Sequence, residues 1–369
     1  MVRLFQQLDD QEWTLPGDQR LTAALPAIDP LRYALDTLAH DPDQASLHIA
    51  LATASAWVWQ PAGLHREGLA HLERAGARID DDHTPRRTQA RWHTMRVLAA
   101  MPLPGAGERV HAERAVALYR ELGDPRGLYN ALGASVRLLA VAREFHQAEA
   151  ALAELEALHD PEWPPASRTV LLTARGYLAY FTGQVEEALT AYEALLKLVT
   201  KSGDPWAQRS ALIFLEQAMQ ALGRFKEAVR LGRELIAQQR ALPFRSSLTM
   251  PWANLCQALT EIGELDDALQ AGCEALNEGL HDDQLWLTLD VFAYLAGKRG
   301  RLGDAALAFG CADAEFARRG AVRQPNEQRA HDVTLAALRE AMPAYFVSAL
   351  LTEGAALSVE EAARLALDA

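Results

Sequence analysis

The sequence is poor in cysteine and has no long apolar run. Its 369 residues include three cysteines, Cys256, Cys273 and Cys311, and none of them forms a Cys-x-x-Cys pair. Three scattered cysteines exclude a disulfide framework and favour a reducing, cytoplasmic setting. No stretch of about 18 uncharged apolar residues occurs, so no transmembrane helix is predicted. The first residues also lack the apolar core of a signal peptide.

Basic residues are outnumbered by acidic ones. Lysine plus arginine number 36 and aspartate plus glutamate number 49, which gives a formal net charge of −13. Binding along a nucleic-acid backbone needs clustered basic side chains, so direct nucleic-acid binding is not expected of these residues. One basic run consists of Arg318, Arg319, Arg323 and Arg329. We interpret these residues as cations near a helix end, where they interact favourably with the helix dipole. The alternative is that they face a phosphate group or a partner.

The motifs of metal, nucleophilic and nucleotide chemistry are absent as well. The sequence has no His-Glu-x-x-His, no Gly-x-Ser-x-Gly and no Gly-x-x-x-x-Gly-Lys-Ser/Thr, the signatures of zinc hydrolases, α/β-hydrolases and phosphate loops. The acidic pairs at 186–187, 266–267 and 360–361 each open a predicted helix, where carboxylates suit the N-terminal dipole. We therefore predict no catalytic residue, no metal site and no cofactor, and a protein that is not an enzyme.

What the sequence does contain is an internal repeat. Four segments align without gaps, at 140–155, 180–195, 220–235 and 260–275. Each carries an alanine 40 residues from the next, at Ala148, Ala188, Ala228 and Ala268. The turns keep the same spacing at Gly183, Gly223 and Gly263, with Arg143 in the first copy. A fifth copy has its turn at Gly300 and its alanine at Ala305.

The residues on either side of each turn predict a pair of helices. Apolar positions recur at i, i+3, i+4 and i+7, which favours helix over strand. Glycine at the turn supplies a positive φ angle and ends the first helix. Neither helix covers its apolar face alone, so the pairs must stack. The sequence therefore predicts an all-α fold, a right-handed α-solenoid of antiparallel helix pairs with a 40-residue repeat.

The predicted organisation is one solenoid preceded by a short segment. Residues 1–26 contain two prolines and little helical period, so they are weakly specified, either a leftover of something that precedes them or a flexible start. Asp-Pro at 41, 124 and 204 predicts helix starts, because Asp suits the N-cap and Pro the first helical position. The solenoid is predicted over 27–369, with repeats at about 42–80, 86–122, 126–160, 165–202, 205–242, 246–280 and 281–320 and a cap at 326–369. That cap contains a capping-box pattern from Ser358 to Glu361.

The helix-turn-helix unit resembles the tetratricopeptide repeat. In the copy that starts at Thr169, that family's small, turn, small and aromatic positions are occupied by Gly176, Gly183, Ala188 and Tyr192. In the copy that starts at Thr249, the matching residues are Trp252, Leu255, Gly263, Ala268 and Ala275. The period of 40 residues departs from the family's, which is about 34 residues. The resemblance implies a binding groove lined by the first helix of each pair.

A narrower resemblance covers most of the chain. Two clusters of residues carry it, the first being Asp29, Leu31, Arg32, Ala34 and Leu35 and the second Trp57, Trp59, Glu67, Gly68 and Leu72. Both are similar to the start of the C-terminal helical domain of bacterial signal-transduction ATPases with numerous domains (STAND). That family includes maltose-regulator-like and winged-helix ATPase activators. Pro30 stands where that family has Asn. The segments 122–133, 308–320 and 354–367 resemble later parts of the same domain.

The STAND resemblance implies the sensor part of a bacterial transcriptional regulator. These residues hold no phosphate loop and no basic helix-turn-helix segment. Either an ATPase and a DNA-binding domain are supplied elsewhere, as in a longer or split regulator, or the chain is a relative that lost its ATPase. The alternative function is a stand-alone scaffold that joins two proteins.

The tetratricopeptide resemblance also places a candidate groove. Most of its side chains are amides and tyrosines, which can form hydrogen bonds to a peptide or a small polar effector. The residues are Asn130, Arg137, Thr173, Tyr177, Tyr180, Gln217, Gln220, Asn254, Gln257, Asp290 and Tyr294. The alternative is that they are exposed polar residues without a ligand. The family's carboxylate-clamp cations are mostly missing, so a chaperone tail is not expected. The expected partner is a protein or small effector, with a second copy of the chain left open.

Overall fold

A computed structural model describes residues 1–80, 82–101, 107–240, 247–281 and 284–368. The regular elements of these residues are twenty α-helices and four short 3-10 helices, without a β-strand. No helix in the described ranges is long and apolar enough to cross a membrane. The predicted all-α fold is confirmed.

The chain divides into two compact units, Met1–Ala211 and the described residues from Leu212 onward, and the division falls within α12. The helices that begin in unit 1 are α1 (Val2–Asp10), α2 (Gly17–Ala24), α3 (Ile28–Ala39), α4 (Ala45–Trp59), α5 (His65–Gly76), α6 (Arg86–Ala100), α7 (Glu108–Leu122), α8 (Pro125–Val141), α9 (Phe145–Leu158), α10 (Arg168–Phe181), α11 (Val185–Ser202) and α12 (Pro205–Ala221). The later helices are α13 (Phe225–Arg240), α14 (Thr249–Ile262), α15 (Leu265–Gly279), α16 (Leu289–Lys298), α17 (Leu302–Arg319), α18 (Pro325–Ala341), α19 (Ala344–Gly354) and α20 (Val359–Leu367).

Between α4 and α17, consecutive helices pack against each other in pairs: α4 with α5, α6 with α7, α8 with α9, α10 with α11, α14 with α15 and α16 with α17. We call α4, α6, α8, α10, α12, α14 and α16 the first helices and the helix that follows each of them the second helix. In unit 1, α4, α6, α8 and α10 pack side by side in chain order, and in unit 2 α14 packs against α16. Such packing of consecutive pairs is the arrangement of an α-solenoid.

The turns between paired helices have the predicted geometry. Gly183, Gly223, Gly263 and Gly300 have φ angles of 81°, 72°, 82° and 80°. Arg143, which replaces glycine in the first copy, also reaches φ 60°. The alanines that follow are each 0% exposed, at positions Ala148, Ala188, Ala228, Ala268 and Ala305. A left-handed residue at the turn and a fully buried alanine after it are therefore common to the five copies of the repeat.

Close packing within a pair explains the small and aromatic positions of the repeat. A Cβ atom built on Gly176 would lie 2.1 Å from Cε1 of Tyr192. A similar arrangement occurs between neighbouring pairs, where a Cβ atom on Gly127 of α8 would lie 2.0 Å from Cε1 of Tyr119 on α7. Tyr192 and Tyr119 are 2% and 3% exposed, so each ring is buried on the backbone of a glycine.

Helix starts follow the Asp-Pro and capping-box signals. The Oδ1 atoms of Asp124 and Asp204 accept hydrogen bonds from N–H groups three residues later, at Gly127 and Ala207, each at 3.0 Å. At the start of α20, the Ser358 hydroxyl accepts from the Glu361 N–H at 3.2 Å, and the Glu361 carboxylate accepts from the Ser358 N–H at 2.9 Å. The predicted repeat boundaries at 242 and 246 and the chain end at 369 lie outside the described residues.

The structure places two short helices in the weakly specified segment, where the sequence shows little period. Phe5 and Leu8 in α1 are 0% and 5% exposed, and Leu21 in α2 is 1% exposed. They belong to an apolar cluster that also contains Ile49 and Leu51 of α4. Helices of eight or nine residues are marginal alone, so tertiary packing rather than local sequence stabilises them.

Candidate functional site

All eleven candidate groove residues lie on first helices. Five belong to unit 1, on α8 and α10, and six to unit 2, on α12, α14 and α16. None of the eleven is exposed: Asn130, Arg137, Thr173, Tyr177 and Gln217 are half-buried, and Tyr180, Gln220, Asn254, Gln257, Asp290 and Tyr294 are buried. These side chains are therefore not exposed, and ligand binding at these positions stays a prediction.

In unit 1 the candidate residues Arg137, Tyr177 and Tyr180 lie close to Tyr192 of α11. The Arg137 guanidinium carbon lies 4.9 Å from the centroid of the Tyr177 ring, and Tyr177 stacks on Phe181 at 6.0 Å. The Nε atom of Arg137 has no hydrogen-bond partner. Burial raises the pKa of the neighbouring Tyr192 hydroxyl well above its usual value, and Tyr177 and Tyr180 add to the rise while Arg137 opposes it. The cluster therefore consists of neutral aromatic side chains and one half-buried cation, Arg137.

Asn130, two turns before Arg137 on the same side of α8, already has a partner within the chain. Its Nδ2 atom donates to Oε2 of Glu12 at 3.1 Å. Glu12 lies between α1 and α2. The segment that sequence analysis left unspecified thus reaches the face formed by the first helices of unit 1.

In unit 2 the amide residues of the candidate groove bind the start of α18. Gln217 donates from Nε2 to Oε1 of Gln324 at 3.1 Å and accepts at its backbone oxygen from Asn326 at 2.9 Å. Gln257 donates from Nε2 to the backbone oxygen of Asn326 at 3.0 Å. Gln257 therefore binds a peptide group through its side-chain amide, whereas Gln217 contacts the side chains of Gln324 and Asn326. All of these partners belong to the same chain.

Asp290 forms a buried ion pair. Its carboxylate is 0% exposed and accepts two hydrogen bonds from Arg323, at 2.7 Å from Nε and 3.1 Å from Nη2. Asp313 also accepts from Nη2 of Arg323, at 2.7 Å. Burial raises the pKa of Asp290, and the Arg323 guanidinium opposes the rise. Asp290 therefore anchors the segment before α18.

Tyr294 lies one turn after Asp290 on α16 and is 2% exposed. Burial raises the pKa of its hydroxyl, and the neighbouring Glu261 carboxylate adds to the rise. Glu261 also pairs with Arg329 of α18, so Tyr294 too lies against this segment.

The basic run is neutralised within the chain. Arg318 and Arg319 pair with Glu315 at 3.1 Å and 3.0 Å. Arg323 pairs with Asp290 and Asp313, and Arg329 pairs with Glu261. For the alternative, a phosphate- or partner-facing role, each of these cations would have to exchange a carboxylate of its own chain for the new partner.

A second fully buried acid of unit 2, Glu216, was not among the residues predicted from the sequence. Glu216 is 0% exposed, and neither of its carboxyl oxygens has a hydrogen-bond partner. It packs over Gly232, where a Cβ atom would lie 2.5 Å from its Oε1. Burial raises the pKa of Glu216 well above its usual value, and the nearby Asn254 amide opposes the rise. The sequence does indicate that Glu216 is buried, because it shares one helical face with the apolar residues Leu212 and Met219.

Replacing this acid with its neutral isostere changes the pH dependence of stability. The folded state holds the Glu216 proton at pH values where the unfolded chain has lost it, so stability falls as pH rises above the ordinary carboxyl range toward the raised folded-state pKa. Glu216→Gln is therefore expected to raise the melting temperature at pH 8 by several degrees, at about 2–4 °C per kcal/mol, and to change it little at pH 5. Thermal unfolding across this pH range measures the effect.

Glu234→Gln removes the same charge from an exposed position of α13 and is the matched control. Glu327 contributes a similar trend in every variant, because burial raises its pKa to about 8. Equal melting temperatures for Glu216→Gln and the wild type at pH 8 would show that Glu216 titrates in the folded state as it does in water.

Comparison with known proteins gives a structural likeness only. No protein-family model matches the chain, and no curated protein matches it. A STAND protein with a tetratricopeptide repeat sensor from Pyrococcus horikoshii superposes with a TM-score of 0.52 and 13% identity, over 89% of this chain and 55% of that one. Yeast Tom70 superposes with a TM-score of 0.43 and 13% identity, over 88% of this chain and 60% of that one.

This chain therefore spans just over half the length of the Pyrococcus horikoshii protein. The likeness to that structure concerns the fold. It supports a tetratricopeptide-like α-solenoid, as the resemblance of the 40-residue repeat implies.

Proposed function

We propose that this chain is a non-catalytic binding domain whose first-helix faces take a protein segment or a small effector. We further propose that it is the sensor part of a bacterial transcriptional regulator of the STAND kind. Arg137 is the observation that carries the binding proposal, and the sequence resemblance over most of the chain supports the regulatory one.

Arg137 has the environment of a ligand-binding cation. It is half-buried among aromatic side chains, and its contact is the Tyr177 ring rather than a carboxylate of the described residues. A guanidinium has five donors in a planar fork that matches a carboxylate or phosphate. A partly desolvated cation gains more from an anionic partner than an exposed cation does. The ligand is therefore expected to place an anionic group beside Tyr177.

In such a regulator, the reactions that this chain does not carry out would take place in other domains. A phosphate loop and a DNA-binding segment are missing from the sequence, so ATP hydrolysis and DNA contact would belong to other parts of the regulator. Ligand binding would act on those parts only if the ligand prefers one arrangement of the solenoid. The protein would work in the cytoplasm and need no metal or cofactor for this role.

A stand-alone scaffold is the second candidate function. It uses the same binding face but requires no ATPase partner. The regulator proposal predicts that a protein with a phosphate loop is associated with this chain, either in one polypeptide or in a complex. The scaffold proposal predicts two partners that bind at the same time and neither of which hydrolyses ATP.

Affinity capture with a matched pair of variants tests the binding proposal. The full chain is used to capture proteins and small molecules from native lysate, and the recovered species are identified by mass spectrometry. Arg137→Gln combined with Tyr177→Ala is expected to reduce recovery of the specific partner at least ten-fold. Arg175→Gln removes the same charge from an exposed site on α10 that pairs with Glu156 at 2.6 Å and is expected to leave recovery unchanged.

Two outcomes would contradict the proposal. One is a partner recovered equally by the wild type and the Arg137→Gln, Tyr177→Ala variant. The other is a partner lost equally with Arg175→Gln, since that would place binding on an exposed face of α10 instead.

A further inference from the structure

Residues 9–17 of this chain lie across the first helices of unit 1. Asp9 accepts from Nε of Arg91 on α6 at 3.0 Å. Glu12 lies 3.5 Å from Nη2 of Arg91 and accepts from Asn130 on α8 at 3.1 Å. The Arg91 side chain is only 16% exposed, so these two carboxylates are what neutralises a largely buried cation.

The next residue along, Trp13, fills an aromatic slot. Its ring packs edge-on to Tyr129 at 5.9 Å and against Trp163 at 5.3 Å, and the Arg126 guanidinium lies 5.7 Å from the Trp13 ring. Four residues later the Gly17 N–H donates to Oδ2 of Asp204 at 3.0 Å. The segment therefore makes an ordered series of contacts with α6, α8 and the residue that caps α12.

The same segment carries polar groups that fit the site poorly. Arg20 is 7% exposed, and its Nε atom has no hydrogen-bond partner. It lies over the Trp57 ring at 4.2 Å, and burial lowers its pKa. The Oδ1 atom of Asp18 is also buried without a hydrogen-bond partner. Each of these groups would recover its hydrogen bonds in water, so undocking of the segment is less costly than its ion pairs alone suggest.

We propose that this first-helix face of unit 1 is the docking site for an acidic amphipathic helix of a partner protein, and that residues 2–20 occupy it as an internal competitor. The proposal rests on the proposed binding function and names the partner chemistry and its regulation.

The contacts of the segment specify the partner. Its apolar residues must follow a helical spacing, because Phe5 and Leu8 enter the core three residues apart. Two carboxylates must follow to pair with Arg91, and an aromatic ring must enter the slot of Trp13. A partner of this kind avoids burying the equivalents of Arg20 and Asp18.

Such a partner gains one contact that the segment does not make. Arg137 lies two turns beyond Asn130 on the same side of α8, and its contact is the Tyr177 ring rather than a carboxylate of the segment. A further acidic residue on the partner would pair with it. This contact favours the partner over residues 2–20. Because residues 2–20 are tethered to the site, they compete at a high effective concentration.

Binding of a labelled peptide to the full chain tests the proposal. The probe is a fluorescein-labelled synthetic peptide of residues 2–15, measured by fluorescence anisotropy. The wild type holds its own copy of this sequence in the site, whereas the variant Asp9→Asn, Glu12→Gln, Trp13→Ala holds it weakly. The variant is therefore expected to bind the peptide at least ten-fold more tightly than the wild type. Adding Arg91→Gln to the variant is expected to abolish that gain.

A scrambled peptide is the control for sequence-independent binding, and circular dichroism checks that each variant is folded. If the triple variant does not fold, the single Trp13→Ala variant takes its place, with an expected gain of at least three-fold. Equal affinity of the wild type and the folded variant, or no binding by the folded variant, would overturn the proposal. Partner capture that depends on Arg137 but is not competed by the peptide would overturn it while leaving the proposed binding function intact.

Discussion

Replacing Gly310 with alanine is expected to destabilise unit 2 by about 2 kcal/mol, after the gain in helix propensity of about 1 kcal/mol is taken into account. A Cβ atom on Gly310 in α17 would lie 2.1 Å from the backbone oxygen of Leu351 in α19. Gly354 in α19 makes the reciprocal approach, at 2.0 Å from the backbone oxygen of Leu307. Because both obstacles are backbone atoms, the two helices must move apart. Thermal unfolding and hydrogen exchange of residues 302–367 measure the loss.

Gly303→Ala is the matched control for this variant. It lies in the first turn of the same helix, and no atom within 4 Å meets its added Cβ atom. Its expected effect is neutral or slightly stabilising. A Gly310→Ala variant as stable as Gly303→Ala would mean that α17 and α19 do not contact each other as described.

Replacing Arg323 with methionine is expected to cost about 3–5 kcal/mol, because it leaves the fully buried Asp290 without its partner. Without the guanidinium that opposes the effect of burial, the pKa of Asp290 rises further. The folded state then holds a proton that the unfolded state loses, so the loss of stability grows as pH rises above the ordinary carboxyl range. Thermal unfolding of the variant between pH 5 and 8 measures both the loss and its slope.

The double variant Arg323→Met, Asp290→Asn is the control, because it removes both charges. It is expected to recover part of the stability at pH 8 and to lose the added pH dependence. If the single variant is as stable as the wild type, or if its loss does not depend on pH, the ion pair does not stabilise the segment before α18.

The repeat could be read from the sequence because its physical causes are local. A residue with positive φ follows the first helix of each of the five repeat copies, and it is glycine in four of them and Arg143 in the first. A small residue must follow where the second helix packs closely. Gly183 with Ala188 and Gly263 with Ala268 show both requirements at the same spacing. The aspartate and serine N-caps are local in the same sense, since each bonds to an N–H three residues away.

Two helices at the start of the chain could not be read in this way. The first, α1, has nine residues and α2 has eight, which is about two helical turns each. Their burial depends on α4, some forty residues away in sequence. A pattern of so few residues predicts a helix only weakly, and the partner that stabilises it is not visible from the pattern.

The sequence register places the candidate residues on first helices, but it does not indicate what those residues contact. The first-helix positions include Gln257, whose side chain binds the backbone oxygen of Asn326, and Gln217, which contacts the side chains of Gln324 and Asn326. Their partner Asn326 is 69 residues from Gln257, and no periodicity links the two. Likewise nothing in the local sequence joins Glu12 to Asn130, which is 118 residues away.

Photo-cross-linking from the first-helix face tests the central claim most directly, which is that partners bind there. A photoreactive amino acid is placed at Thr173, a half-buried residue of α10, or at Val110, which is 65% exposed on second helix α7. In native lysate, we predict a saturable partner adduct from position 173 that Arg137→Gln suppresses, and no such adduct from position 110. An adduct from position 110 alone, or one from position 173 that Arg137→Gln leaves unchanged, would contradict the account.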